Sequence, residues 1–310
     1  MSSEAANATA RRGERAETKS APAVIEAAPA KINLFLEITG RRADGFHDLY
    51  SLVAFADLGE RIEAGPGEGF SLAVAGPFAD ETPAGKDNLV LAAARALGDR
   101  LGDGHGARIR LTKTLPVAAG LGGGSADAAA AIRALRKLWG VDLPETALFD
   151  LAISLGSDVP VCLAGRPAIV TGRGEALTPF WLPQCPAVIV NPGVGLDTAQ
   201  VFGALGDRTF EDSATFVPVA DSDALIASLR SRRNDLEAPA SALAPEIVGV
   251  LDALRTQPGC RLARMSGSGA SCFGLFADAP AAAVAARRIA EGRTGWWVAE
   301  TVIGGTVGAR

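Results

Sequence analysis

Histidine and methionine each occur twice and tyrosine once in 310 residues. Lysine is confined to Lys19, Lys31, Lys86, Lys113 and Lys137. This scarcity excludes a histidine-rich metal tract and a lysine-rich surface. The 30 Lys and Arg are outweighed by 35 Asp and Glu, a net charge of −5. Such a balance repels a polyanion and no aromatic–basic repeat offsets it, so no nucleic-acid partner is expected. No stretch approaches about 18 consecutive apolar residues, so no membrane span is expected either. The cysteines, Cys162, Cys185, Cys260 and Cys272, show neither CxxC pairing nor a histidine at metal-ligand spacing. They read as buried free thiols, and the expected compartment is the reducing cytoplasm. Residues 1–22 hold Arg11, Arg12, Arg15 and Lys19 with no apolar stretch after them. A polar disordered tail is expected there, not a secretory signal.

What is present is a globular composition, 48% hydrophobic and 21% charged, at a length that suggests two domains. They are expected at 23–182 and 183–310, with the boundary between Thr178 and Pro186. Strands are read near Val24, over Ala30 to Thr39, over Tyr50 to Ala56 and over Arg108 to Leu115. Helices are read over Asn88 to Leu101, Ser125 to Trp139 and Leu148 to Leu155. In the second half, strands over Ala187 to Val190, Arg261 to Met265, Ser271 to Phe276 and Trp296 to Ile303 surround helical stretches. Those stretches lie over Asp221 to Thr256, broken at Pro239 and Pro245, and over Ala279 to Glu291. Strands and helices interleave without a clean βαβ repeat, which favours an α+β fold.

The most informative segment is Pro116-Val117-Ala118-Ala119-Gly120-Leu121-Gly122-Gly123-Gly124-Ser125-Ala126-Asp127. Its glycines let backbone N–H groups approach an anion with no Cβ in the way. The helix that follows adds the positive end of its dipole, so a phosphate is the expected guest. A Walker A loop would need a lysine before Ser125. A dinucleotide fingerprint would need a third glycine at position 125 or 127, which leaves an NAD-binding oxidoreductase as the weaker alternative. A second loop, Ser266-Gly267-Ser268-Gly269-Ala270, suggests two domains closing over one polyphosphate.

These loops, together with Pro29-Ala30-Lys31-Ile32-Asn33-Leu34-Phe35-Leu36, Asp44-Gly45-Phe46-His47, Gly156-Ser157-Asp158-Val159-Pro160 and Asn234-Asp235-Leu236, resemble the GHMP kinases. Within them the segments are most similar to the branch that acts on CDP-methylerythritol. The resemblance implies a two-domain fold, ribosomal protein S5 domain 2-like at the N-terminus and ferredoxin-like at the C-terminus. It implies phosphoryl transfer from ATP, with Mg²⁺, to the 2-hydroxyl of the methylerythritol unit. It further implies that Lys31 and Asp158 are catalytic and that Pro116 to Ala126 wrap the ATP phosphates, with Asn88 and Lys113 as secondary contacts.

Lys31 and Asn33 are polar insertions in an apolar strand, and such groups usually have a partner or a ligand. By alternation Phe35 should share their face. Asn33 is assigned to the substrate. Phe46 is expected to stack on the cytosine and His47 to bond its edge, with Phe202 as the opposing face or as a core residue. Many relatives have Ser-Asn where this chain has Ala126-Asp127. Asp158 precedes Val159-Pro160, where no helix should continue. No metal ligand is assigned, since Mg²⁺ takes few protein ligands. Within the same class, homoserine, mevalonate or a sugar are alternative acceptors, disfavoured because none offers a base to stack on Phe46. A monomer or homodimer is expected.

Overall fold

Two long antiparallel strands organise the first half of the chain. β1 (Val24–Arg41) and β2 (His47–Pro66) pair from Val24↔Ala64 to Arg41↔His47. The strands expected separately near Val24 and over Ala30 to Thr39 are therefore one. Irregularities between Pro29 and Lys31, Asn33 and Phe35, and Ile38 and Gly40 bend the strand without ending it. Pro29 has no N–H for the ladder, and a bulge accommodates that loss. This computed structural model describes residues 23–102, 104–206, 210 and 213–304. The tail expected over 1–22 lies outside them.

β2 is long enough to serve two neighbours. Its first part pairs with β5 (Ala168–Gly172) and its last part with β4 (Ala107–Thr112). β3 (Phe70–Ala75) runs parallel to β4, and β6 (Ala176–Pro179) pairs antiparallel with β5. A parallel pair needs a crossover, and α1 (Leu89–Leu101) supplies it. Across the sheet lies α2 (Gly123–Trp139), touching β1, β2 and α1. Ala128, Ala129, Ala130, Ala131 and Ala134 of α2 are fully buried. Side chains this short bring the helix close to the strands. Helices α3 (Glu145–Leu155) and α4 (Val159–Ala164) complete this half.

The second sheet runs β10 (Trp297–Ile303), β7 (Cys185–Asn191), β9 (Cys272–Phe276), β8 (Cys260–Met265), antiparallel throughout. One pairing, Ile303↔Ala56, joins it to β2. The chain changes sheet in residues 180–184, between β6 and β7. Around this sheet lie α5 (Thr198–Gly203), α6 (Ser222–Arg230), α7 (Glu237–Leu243), α8 (Glu246–Arg255) and α9 (Ala279–Gly292).

Several sequence expectations change. Residues 221–256 form three helices, because Pro239 sits in the first turn of α7 and Pro245 caps α8, where a missing N–H costs no helical bond. A helix begins after Asp158, with Pro160 in its first turn, where none was expected. β3, β5, β6 and α5 are short elements whose bounds the sequence reading did not give. A shared apolar core fixes the two sheets together: Ile32, Leu34 and Phe35 of β1 pack in one cluster with Ala187 and Ile189 of β7 and Phe273 of β9.

Candidate active site

A cavity of about 1340 Å³ opens between the halves. Among its lining residues are Lys31, Asn33, Phe46, His47, Asn88, Lys113, Pro116 through Ser125, Asp158 and Phe202. Of the site residues expected from sequence, Ala126 alone turns away. Its side chain is buried in the first-half core and its N–H bonds Gly122 O, since it is already in the first turn of α2.

The glycine loop leads into α2 from Gly122, which caps the helix at φ +63, so the helix starts two residues before Ser125. Gly120 also has positive φ, and a Cβ there would lie 2.5 Å from Ser266 O and 2.7 Å from Gly269 O. Only glycine allows that approach. The second loop is thus pressed against the first. Ser266 Oγ donates to Gly120 O at 3.0 Å, and Ser271 N donates to Ala119 O at 3.1 Å. Asn234 staples the second loop from behind, its Nδ2 donating to Met265 O and Gly267 O at 2.8 Å each. Asp235 N bonds Leu36 O, which ties the same segment to β1.

Lys31 and Asp158 meet beside this junction. Lys31 Nζ lies 2.9 Å from Asp158 Oδ2 and donates to Asn33 Oδ1 at 2.8 Å. The lysine side chain is 5% exposed and the aspartate 43%. Lys31 is therefore a buried lysine with two partners. Asn33 is fully engaged: Nδ2 donates to Ser51 Oγ at 2.8 Å and its backbone N–H to Ser266 Oγ at 3.2 Å. Asp158 heads α4 but makes no capping bond, so its carboxylate faces the cavity with Lys31 as its partner. Phe35 does not share the face of Lys31 and Asn33. The bulge at Leu34 inserts one residue and turns Phe35 into the core against Tyr50 and Phe216.

At the cavity mouth Phe46 is 53% exposed, with the Arg173 guanidinium 3.6 Å from its ring centre. His47 packs on Phe202 with centroids 5.4 Å apart, and burial followed by Arg41 lowers its pKa. Phe202 also packs against the second-half core. It is thus a wall residue with both surroundings named from sequence, and its direct ring partner is His47.

Asn88 caps α1, accepting from Val90 N at 2.8 Å while donating to Pro83 O. Lys113 is buried and lies between Glu60 Oε2 at 2.8 Å and Asp127 Oδ2 at 2.9 Å. Both side chains are buried and line the cavity. Sequence reasoning missed Glu60, Ser51, Arg173 and Thr198, whose hydroxyl lies 2.9 Å from Ser268 Oγ. A lone Glu or Ser in an alternating strand carries no distinguishing signal. His105 packs on Trp139, with ring centroids 4.9 Å apart.

A glycine loop opening a helix, a lysine–carboxylate pair and a two-sheet scaffold with a shared core fit the class of small-molecule phosphotransferases. The model of the GHMP kinases N terminal domain matches residues 88–166, and that of the GHMP kinases C terminal matches 221–293. A 4-diphosphocytidyl-2-C-methyl-D-erythritol kinase of Cereibacter sphaeroides is 54% identical over 277 residues, covering 88% of this chain and 96% of the relative. One of Rhodospirillum rubrum is 48% identical, covering 92% and 95%. A crystal structure of 4-(cytidine 5'-diphospho)-2C-methyl-D-erythritol kinase aligns with TM-score 0.73 and 36% identity over 91% of this chain and 99% of that one. A homoserine kinase from Cytophaga hutchinsonii shares the fold, with TM-score 0.68 at 19% identity over 92% and 95% of the two chains. The chain belongs to the 4-diphosphocytidyl-2-C-methyl-D-erythritol kinase family of the GHMP kinases.

Proposed function

We propose that this protein transfers the γ-phosphoryl group of ATP to the 2-hydroxyl of 4-diphosphocytidyl-2-C-methyl-D-erythritol, giving the 2-phosphate and ADP. This step belongs to the non-mevalonate route to isoprenoid precursors. The observation that carries the reading is the Lys31–Asp158 contact of 2.9 Å, placed at the meeting of the two glycine loops. Family membership makes the oxidoreductase alternative untenable.

The chemistry follows from the geometry. Phosphoryl transfer asks for positioning and charge neutralisation more than for covalent help. Backbone N–H groups at the start of α2 hold the phosphates, aided by the helix dipole. The Lys31 ammonium has three protons and gives two of them to Asn33 and Asp158. The third is left for a γ-phosphate oxygen. Asp158 orients the acceptor hydroxyl and takes its proton as the oxygen–phosphorus bond forms and the β–γ bridge breaks. Ser51, through Asn33, keeps Lys31 aimed at this point.

Phe46 offers its ring to the cytosine, with His47 as a hydrogen-bonding partner for the base edge and Phe202 as the wall behind it. Arg173 on the Phe46 ring holds that ring upright. Mg²⁺ would arrive with ATP, held by phosphate oxygens and water. Among the described residues no group of three or more His, Cys, Asp or Glu is arranged to hold a metal. Asp158, Asp127 and Glu60 are all engaged by lysines. No dedicated metal cage is therefore assigned, and no step is routed through the ion. Among the described residues no helix is long and apolar enough to cross a membrane. The reading includes a cytoplasmic enzyme, monomeric or homodimeric, organised as domains at 23–182 and 183–310.

The test is ADP release in a coupled assay with the CDP-linked substrate beside homoserine, mevalonate and galactose. Turnover confined to the CDP-linked substrate supports the reading. Turnover with another acceptor alone would remove the cytidine site, and no ADP from any would sink the kinase assignment.

A further inference from the structure

Beneath the phosphate loop lies a buried charge cluster that the proposed mechanism does not use. Glu60 of β2 and Asp127 of α2 both engage the ammonium of Lys113, at 2.8 and 2.9 Å. All three residues are at least nine-tenths buried. Leu115 N donates to the other Glu60 oxygen at 3.2 Å, whereas Asp127 Oδ1 has no partner. The cluster touches the loop directly: a Cβ on Gly123 would lie 3.2 Å from both Glu60 Oε2 and Lys113 Nζ. One lysine cannot neutralise two carboxylates, and an excess negative charge would sit under the N–H groups that receive a triphosphate.

Resting on the kinase reading above, we infer that Glu60, Lys113 and Asp127 form a positioning element that carries one exchangeable proton, and that triphosphate binding favours the protonated form. A proton on Glu60 makes the cluster neutral. It also places a donor between two carboxyls that both bond the same Lys113 ammonium. Burial, and then the Asp127 charge, push the Glu60 carboxyl up to about 8 against the pull of Lys113. The lysine stays charged: burial disfavours that form, but Asp127 and Glu60 together overcome it and raise its pKa.

No other charge around the cluster replaces this proton. From β1, Lys31 is spent on Asp158. From α4, burial pushes the Cys162 thiol up to about 12 and keeps it neutral. Arg133, further along α2, is paired with Glu26. Arg61 and Glu63 of β2 pair with each other at the surface.

A bound triphosphate disfavours a nearby negative charge, so the proton is held more tightly with ATP in place. If ATP raises its pKa by about one unit, KM for ATP rises roughly sevenfold between about pH 7 and about pH 9.5 by linkage. Asp127→Asn makes the cluster neutral at every pH while keeping an acceptor for Lys113 and adding a donor toward Glu60. Its KM for ATP is expected to stay flat over the same range.

The accompanying measurement is an infrared titration of the ligand-free protein. A protonated-carboxyl band should disappear with a midpoint near about pH 8 and be missing from the Asp127→Asn variant. A flat KM profile in the unaltered protein, an undiminished rise in Asp127→Asn, or no such band would overturn the inference. Should Asp127→Asn fail to fold, Glu60→Gln carries the same expectation of a flat profile. ADP absent at every pH would strike the kinase reading, and the infrared band would then decide the proton alone.

Discussion

Ser266 donates its hydroxyl to the carbonyl of Gly120 at 3.0 Å, across 146 positions of sequence. The same Ser266 oxygen accepts the backbone N–H of Asn33, whose side chain accepts from Lys31. The first glycine loop and the Lys31–Asp158 pair therefore share one bonded junction, fed by both halves of the chain.

Gly120→Ala tests that junction. The new Cβ would meet three backbone atoms of the second loop within 2.8 Å, at a φ of +73. Backbone strain alone costs about 1–3 kcal/mol. The variant should melt earlier in calorimetry and show a KM for ATP raised at least about tenfold, equivalent to about 1.4 kcal/mol. Unchanged values in both would mean that the loops do not touch in solution.

Removing the Asp158 charge should separate catalysis from folding. Its side chain is 43% exposed and caps nothing. Asp158→Asn is expected to lower kcat by about 10²- to 10⁴-fold, the span of a positioned acid–base group. The melting temperature should stay close to that of the unaltered protein. Lys31→Met should also lose turnover, but with a stability cost, because it leaves Asn33 Oδ1 without its donor.

Phe46 and Phe202 are predicted to differ. Phe46→Ala should raise KM for the CDP-linked substrate by about 5- to 160-fold, from a stacking energy of about 1–3 kcal/mol, and leave KM for ATP alone. Phe202→Ala should do the same and in addition lower the melting temperature, since that ring also packs on the core. Equal stability of the two variants would remove the core role of Phe202.

Alkaline pH should destabilise the fold. Burial pushes the thiols of Cys162 and Cys185 up to about 12 and about 11, and that of Cys272 well above its ordinary value. The folded chain keeps these protons where the unfolded chain releases them. Fewer protons on the unfolded state make stability fall as pH rises from about 9 toward 11–12. Thermal melts across that range should show the decline, and Cys162→Ala should flatten it. A slope unchanged by that substitution would exclude the thiol as its source.

Much of this was legible in the chain, for identifiable reasons. The glycine loop and the Lys31 strand break local rules: glycines crowd a helix start, and polar groups interrupt an apolar run. Rule-breaking of that kind marks sites. The β8–β9 hairpin and α9 were likewise readable from alternation and spacing. Phe35 was misplaced because a bulge reverses strand parity and leaves no trace in composition. Lys113 was assigned as a secondary ATP contact by resemblance alone, and its pairing with carboxylates 53 and 14 positions away was not foreseen. Long-range pairing is invisible to periodicity. Asp158 was misjudged as a helix stop, since proline excludes a helix interior and yet favours a first turn.

The row of buried alanines on α2 has a consequence for anyone seeking an inhibitor. A helix seated that close on its sheet, with its Asp127 bonded to the buried Lys113, gives the glycine loop that leads into it little room to adapt to a foreign shape. Compounds directed there must imitate a triphosphate, which a cell already supplies in excess. The mouth differs, because Phe46, Arg173, Asp44 and Glu175 are held by side-chain contacts at the surface. A flat, weakly basic ring lodged on the exposed face of Phe46 would compete with the cytosine stack proposed there.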